Sequence, residues 1–322
     1  MTTALPHPRS PSNADPDKAL PGWSSTPPPQ QQLSLADPLV AADFSGWMRQ
    51  VLGVLRRSFV RLALIWAVPA ALIALFSTGF NQVLAGRAEA LQPVLSTNPD
   101  QGPWSVAAAV LSTLYAGLLP FMLLFVAVWL VVLAFGMSAS FFVAVSDAQA
   151  RVSAGQPRVT STAAGLRYAC TRALPLIGWL VVVELLVVAG YAALAVPGVY
   201  LSVALVGPVF GVVILERGGI GRCFQLTKGR FWATLGRLSA AAVVVSVGAT
   251  VLAIPVGILA ALLASADMGV IAYALGGIAY AVLMIPALVF FAAVYLVTYA
   301  ELRYRENPAT STVVLAAEMV RP

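Results

Sequence analysis

The acidic side chain of Glu184 is the first candidate for chemistry, because it lies inside the otherwise uncharged stretch LIGWLVVVELLVVAGYAALAV. At the centre of a hydrophobic layer an ionised carboxylate costs about 2.5–3.5 kcal/mol on insertion scales. Protonating it at pH 7 costs about 3.7 kcal/mol, so the sequence does not decide its charge. Two interpretations stay open, a proton or cation relay and a carboxyl group hydrogen-bonded between helices. The absence of a basic residue in the same stretch favours the structural one.

The pair Gly207-Pro208 interrupts the next apolar stretch, which ends at Leu215. Proline lacks a backbone donor and bends a helix. In transporters, such interruptions mark discontinuous helices whose free backbone groups bind an ion or a substrate. An ordinary proline kink leaves no such site. The sequence favours the kink over the discontinuous helix.

Basic and aromatic residues alternate in the segment that follows, from Glu216 to Arg237. Their composition suits phospholipid headgroups or a partner protein. Alternation of this kind also occurs in nucleic-acid binding, but beside an apolar stretch an aromatic belt explains it better, and we expect no nucleic-acid partner. We predict that these residues mainly anchor the chain at the membrane interface. The candidate lipid-headgroup or interface residues are Trp47, Arg56, Arg57, Arg172, Glu216, Arg222, Lys228, Arg230 and Trp232.

The residues that most catalytic and metal sites require are scarce. The only histidine, His7, lies in a proline-rich N-terminal segment, and Cys170 and Cys223 lie in separate basic segments. A metal cluster or a histidine-dependent triad therefore cannot be assembled from histidines. We predict that the protein is not an enzyme, that it uses no cofactor or metal, and that its cysteines form no disulfide.

Composition indicates which elements must position these residues. Of the 322 residues, 60% are hydrophobic and 10% are charged. Soluble domains have about 45–50% apolar and about 25% charged residues. The chain therefore predicts an all-α, polytopic membrane protein built from spans of about 20 residues.

Six spans account for the apolar stretches. The 41 uncharged residues from 105 to 145 would form a helix about 60 Å long, so we predict one crossing preceded by a half-embedded or extended helix that Pro120 kinks. A hydrophilic loop is predicted over 85–104 and an outer turn at Pro197-Gly198. The predicted spans are 58–82, 120–145, 173–196, 199–215, 238–263 and 270–298.

Charge predicts the orientation of these spans. In the six-span arrangement 18 of the 19 Lys and Arg residues fall on one side, which the positive-inside rule places in the cytoplasm together with both termini. We expect a cell-membrane location and three helical hairpins, each preceded by an interfacial amphipathic segment. The first segment begins at the N-cap Asp43 and holds Trp47 at headgroup level, with Arg61 reaching back to the same interface; the second is capped by Thr160 or Ser161.

Three sequence features carry a family likeness: the PGVY turn, the segment VVILERGGIGRCFQLTKGRFWATLG and the exit motif YAELRYRE. Together they resemble actinobacterial multi-pass proteins related to the membrane domain of glycerophosphoryl diester phosphodiesterases. The resemblance covers residues 44–306 and implies a six-span membrane module without the catalytic barrel. It implies a scaffold and no activity.

These observations predict three regions: a disordered, proline-rich cytoplasmic tail over 1–42, a six-helix membrane domain over 43–306 and a cytoplasmic tail over 307–322. The predicted function is that of a non-enzymatic module, a scaffold or accessory in envelope or lipid-related processes. The alternative is a small transporter or exporter that uses Glu184 and the broken fourth span. The expected partners are the bilayer, its anionic phospholipids, and a membrane protein or a second copy of the chain.

Overall fold

A computed structural model describes residues 37–96, 103–153, 161–266 and 268–320. Within these ranges the chain is helical and contains no strand, and six helices are long and apolar enough to cross a membrane. The prediction of an all-α, polytopic membrane protein with six spans is confirmed. The helices are α1 Phe44–Ser96, α2 Pro103–Val152, α3 Thr162–Ala193, α4 Ala195–Leu201, α5 Gly207–Gly211, α6 Ile220–Thr227, α7 Phe231–Ser265, α8 Gly269–Glu306 and α9 Thr312–Val320.

Helices α1 and α2 are longer than predicted. They contain 53 and 50 residues, which at 1.5 Å per residue correspond to about 80 and 75 Å. The predicted loop over 85–104 is therefore wrong for residues 85–96 and 103–104, which are helical. Alanine and leucine are frequent there and favour the helix without an apolar environment. The extended-helix interpretation of residues 105–119 agrees with α2, which is continuous through Pro120.

The first two interfacial segments are not separate helices. Residues 44–57 are the first turns of α1, and residues 162–172 are the first turns of α3. Ser161 caps α3, because its side-chain oxygen accepts a hydrogen bond from the backbone N–H of Ala164 at 3.1 Å. Only the third segment contains a helix of its own, the short α6.

The turn between α3 and α4 comes three residues earlier than predicted. Leu194 is extended, with φ −167° and ψ 157°, and Pro197 lies in the first turn of α4, where a missing N–H costs nothing. Gly198 lies against the ring of Tyr191, where an added Cβ would be 2.4 Å from ring carbons. This close contact requires glycine at the start of α4.

The fourth membrane helix, Ala195–Glu216, forms the centre of the bundle. It consists of α4, a π-helical segment Ser202–Val206, α5, and a second π-helical segment Val212–Glu216. The less favoured alternative, a discontinuous helix at Gly207-Pro208, is not what the structure shows, because Gly207 keeps helical angles of φ −61° and ψ −59°. Proline clashes with the carbonyl four residues earlier, and here that carbonyl belongs to Ala204, inside the wider π-helical turn.

The fourth membrane helix and α8 approach each other at Gly211. An added Cβ there would lie 2.1 Å from the Tyr299 ring, and both residues are buried. A similar contact joins α1 and α2, where Gly136 faces the ring of Trp66. Small residues therefore set the spacing of the central helices.

Both ends of the described chain pack against the same end of the bundle. The carboxylate of Asp37 accepts hydrogen bonds from the backbone N–H and the hydroxyl of Thr312, at 2.8 and 2.6 Å. Leu39 and Ala41 are buried. Residues 37–42 of the predicted N-terminal tail, and α9 within the predicted C-terminal tail, thus belong to the folded unit. The disorder predicted for residues 1–36 lies outside the described residues.

We predict that Gly211→Ala destabilises the protein by about 1–3 kcal/mol, because the added methyl group overpacks the contact with Tyr299. Thermal unfolding of the detergent-solubilised protein, followed by size-exclusion chromatography, measures the effect. Gly248→Ala in α7 is the matched control, since nothing lies within 4 Å of its added Cβ. Equal unfolding temperatures for the two variants would contradict this packing.

Candidate functional site

The helix order brings the basic segments together at one end of the bundle, which we call the basic end. This end contains the start of α1, the end of α2, the start of α3, the end of the fourth membrane helix, α6, the start of α7, the end of α8, and α9. Fourteen basic and seven acidic residues of the described chain lie there. The candidate site is the layer of ion pairs that these residues form.

The carboxylate of Glu216 is the centre of this layer. It accepts hydrogen bonds from the Tyr299 hydroxyl and from Nε of Arg222, both at 2.7 Å, and Nε of Arg303 lies 3.2 Å away. Only 13% of its side chain is exposed. The fourth membrane helix, α6 and α8 therefore meet at a single carboxylate.

A sharp turn places Arg222 beside Glu216. Arg217 adopts a left-handed conformation with φ 58°, which ends the fourth membrane helix. The backbone N–H of Gly218 then donates to the carbonyl oxygen of Val212 at 3.0 Å. This reversal directs α6 back across the end of the bundle, so that Arg222 faces the carboxylate six residues earlier.

Two arginines connect this centre to the C-terminal elements. Arg222 also donates to both carboxylate oxygens of Glu306, one of them at 2.7 Å. This hydrogen bonding, with Glu216 adding to it, raises the pKa of Arg222 above its usual value. Arg303 donates to Glu318 of α9 at 2.6 Å. Helix α9 is therefore fixed to the layer by an ion pair as well as by its cap at Asp37.

A second group is formed by Glu301 between two arginines. Its Oε1 accepts from Arg237 of α7 at 2.6 Å and from Arg305 at 2.7 Å. The side chains of Glu301 and Arg237 are only 3% and 8% exposed. Arg305 also donates to the backbone carbonyl of Ala42 at 2.7 Å. This group joins α7, α8 and the N-terminal segment.

A third group joins α1 to α2. Asp147 pairs with Arg61 and accepts a hydrogen bond from the Ser58 hydroxyl at 2.7 Å. The structure gives Arg61 a partner that the sequence did not identify, the carboxylate of Asp147 at the same end of the bundle.

Every acidic side chain of the basic end has a partner inside the protein, within the described residues. Five form the ion pairs above, and Asp37 caps α9. Asp43 caps α1, as predicted, and its hydrogen bond from Gly46 N–H at 2.7 Å lowers its pKa. Several basic side chains point outward instead: Arg49, Arg56, Arg167 and Lys228 are exposed.

The predicted interface residues fall into different environments. Glu216 and Arg222 belong to the layer, whereas Arg56, Lys228 and Trp232 are exposed. Arg57 donates to the carbonyl of Pro38 at 3.2 Å, and Arg172 lies over the Tyr168 ring at 5.7 Å.

Trp47 requires a correction. The structure buries it completely, and its indole N–H donates to the Thr298 hydroxyl of α8 at 3.0 Å. Its ring therefore contacts protein instead of lipid headgroups. The apolar side of the first turns of α1 packs on α8, because an apolar stripe suits a neighbouring helix as well as a bilayer.

Glu184 lies on α3, separate from this layer. Its side chain is half-buried. It forms no hydrogen bond or ion pair with another described residue. Gly207 and Pro208 are buried in the bundle centre. The three residues do not form a common site.

The described residues contain no group of three His, Cys, Asp or Glu side chains that could hold a metal ion. Both cysteines are free; Cys170 is exposed and Cys223 is buried. Burial, together with the nearby Glu216, raises the pKa of Cys223 to about 12. This thiol is therefore a weak nucleophile and a weak metal ligand near neutral pH.

Sequence reasoning did not single out the other residues that complete the layer: Asp147, Arg237, Glu301, Arg303, Arg305, Glu306 and Glu318. One signal was available, since all of them except Glu318 lie within or beside a span end that the positive-inside rule places on one side. The i,i+4 spacing of Glu301 and Arg305 indicates one of the pairs, but no sequence signal indicates the pairs between different helices.

Comparison of the chain with protein-family models, with curated proteins and with solved structures finds no match.

We predict that Arg237→Gln lowers the unfolding temperature, because it leaves the buried Glu301 with only one arginine partner. Breaking a buried pair costs up to about 3–5 kcal/mol. Arg56→Gln is the control, since this exposed residue should change stability by no more than about 0.5 kcal/mol. An Arg237→Gln protein as stable as the control would show that the ion pair does not hold α7 to α8.

Proposed function

We propose that this protein is a non-enzymatic integral membrane module whose basic end contacts anionic phospholipids and serves as a scaffold or accessory in a lipid-related process of the envelope. One observation carries the proposal. At the basic end the carboxylates are engaged inside the protein, whereas much of the positive charge is turned outward. The six apolar helices agree with the membrane setting.

The surplus of positive charge is suited to an anionic surface. The described basic residues of this end exceed the acidic ones by seven. A basic side chain near an anionic leaflet contributes about 1 kcal/mol of attraction. Phe44 and Trp232 are 51% and 79% exposed at the same end, as expected of aromatic side chains at headgroup level.

The same charge distribution supports an orientation. Loops rich in Lys and Arg stay in the cytoplasm, so we propose that the basic end, with both termini, faces the cytoplasm of a cell-membrane protein. The leaflet on that side carries the anionic lipids that such a surface would attract.

A scaffold role is supported by the rigidity of this end. Ion pairs and caps connect residues 37–42, the fourth membrane helix, α6, α8 and α9. A surface that is ordered before it binds loses less entropy when a partner docks. The possible partners are a membrane protein or a second copy of the chain. The resemblance to membrane proteins related to glycerophosphoryl diester phosphodiesterases also supports the proposal of a lipid-related process.

The second candidate, a small transporter or exporter, is supported by Glu184, whose half-buried side chain has no hydrogen-bond partner among the described residues. Its other support is lost, because the fourth membrane helix is not discontinuous and is buried over most of its length. We therefore rank it below the lipid-binding module.

The proposal is tested by extracting the full-length protein with a styrene–maleic acid copolymer and measuring the co-extracted lipids by mass spectrometry. We expect anionic phospholipids to be enriched over the bulk membrane. The triple variant Arg49→Gln, Arg56→Gln, Arg167→Gln should lower this enrichment at least about twofold, since it removes three exposed charges. Arg87→Gln, the same change outside the basic segments, is the control.

An unchanged enrichment in the triple variant would contradict lipid contact at the basic end. A small solute that stays bound to the wild type and is lost in Glu184→Gln would favour the transporter instead.

A further inference from the structure

A cleft opens between α7 and α8 at the basic end. It is a small space that is partly open to solvent, and three arginines line it together with Glu301. Arg230 precedes the first residue of α7, Arg237 lies two turns into that helix, and Arg305 comes from the end of α8. The two helices therefore direct three guanidinium groups towards one space.

The charges of this cleft do not balance. Glu301 supplies the only carboxylate among its described lining residues, and it is bound to Arg237 and Arg305. Arg230 adds a third cation, which leaves two positive charges in excess. Excess charge in a partly buried site is unfavourable unless an anion enters. The cleft is thus electrostatically suited to a ligand with one or two negative charges.

A hydrogen-bond donor among the described lining residues also lacks a partner. Arg237 is 7% exposed, and its Nε is buried without a hydrogen-bond partner. The half-buried guanidinium of Arg230 forms no ion pair with any described residue. Its backbone is held in place, because its carbonyl oxygen accepts hydrogen bonds from the backbone N–H and the hydroxyl of Thr234 at 3.0 and 3.1 Å. The backbone of Arg230 is therefore fixed at the cleft before any ligand binds.

The residues next to the cleft indicate the source of such a ligand. Trp232, two residues after Arg230, is 79% exposed, and tryptophan concentrates at the level of lipid headgroups. Beyond it, α7 presents exposed apolar residues such as Val243, Val247 and Val251 along its length. A lipid whose chains lie on α7 would bring its headgroup to the mouth of the cleft. Basic pockets between membrane helices on the cytoplasmic side are a known setting for anionic headgroups.

We propose that the cleft formed by Arg230, Arg237 and Arg305 binds a phosphate group, supplied by an anionic phospholipid headgroup. Guanidinium groups match phosphate oxygens in a bidentate geometry, and Glu301 holds two of them at the edge of the space. The lipid source rests on the proposed function, whereas phosphate recognition rests on the cleft alone.

The test uses the full-length protein in neutral detergent, with short-chain phosphatidylglycerol, the matching phosphate-free diacylglycerol, and inorganic phosphate as probes. Native mass spectrometry and calorimetry measure their binding. Arg230→Gln removes a cleft guanidinium that holds no other element in place. Lys228→Gln is the matched control, because Lys228 is exposed two residues away and does not line the cleft.

We expect saturable binding of phosphatidylglycerol and none of diacylglycerol. Arg230→Gln should weaken the binding at least about tenfold, corresponding to about 1.4 kcal/mol, and Lys228→Gln should change it less than about twofold. Competition by inorganic phosphate would support recognition of the phosphate group. Binding of inorganic phosphate with no binding of the lipid would support the cleft and overturn the lipid source.

Absence of saturable binding by either phosphate-bearing probe, or equal losses in Arg230→Gln and Lys228→Gln, would overturn the proposal. The variants that test the proposed function leave Arg230 in place, so the two ideas fail separately. If anionic lipid stays enriched around the protein while the cleft binds nothing, only the cleft is excluded.

Discussion

The basic end depends on the contacts of the Glu216 carboxylate, whose side chain is only 13% exposed. An ionised group at the edge of an apolar bundle must be compensated by charge and hydrogen bonds, and here Arg222, Arg303 and Tyr299 provide them. Because these partners come from α6 and α8, a single carboxylate fixes the end of the central helix to both. Arg303 then connects the same point to α9. The geometry of the C-terminal region thus follows from one buried charge.

The arrangement of charge has a consequence for function. Arginines that compensate the carboxylates are withdrawn from the surface, yet the surface stays basic because the arginines and lysines outnumber the acids two to one in the described part of this end. Structural and interfacial roles are therefore divided among residues of the same type. Arg222 and Arg237 hold helices together, whereas Arg56 and Lys228 face outward. The cleft contains both kinds of arginine: Arg237 is paired with Glu301, whereas Arg230 forms no ion pair with a described residue.

The sequence predicted much of the fold, because the number of spans depends on the length and number of the apolar stretches. Helix ends were less predictable: residues 85–96 are polar enough for a loop, but their alanines and leucines continue α1. Trp47 shows another limit, since an apolar stripe does not reveal whether lipid or α8 covers it. Glu216 and Arg222 were identified as candidate interface residues, but not as partners in a largely buried ion pair. Its real environment depends on Arg303 and Tyr299, more than 80 positions away, and only the tertiary structure places them.

The described basic segments share one end of the bundle, and we propose that this end faces the cytoplasm. The native cysteines test it most directly, because Cys170 is exposed at the start of α3 and Cys223 is buried, with its pKa raised to about 12. A membrane-impermeant maleimide should leave intact cells unlabelled, modify one cysteine per chain after the membrane is opened, and modify both only after denaturation. Cys170→Ser should abolish the label that appears on opening. Labelling of Cys170 from outside intact cells would contradict the account.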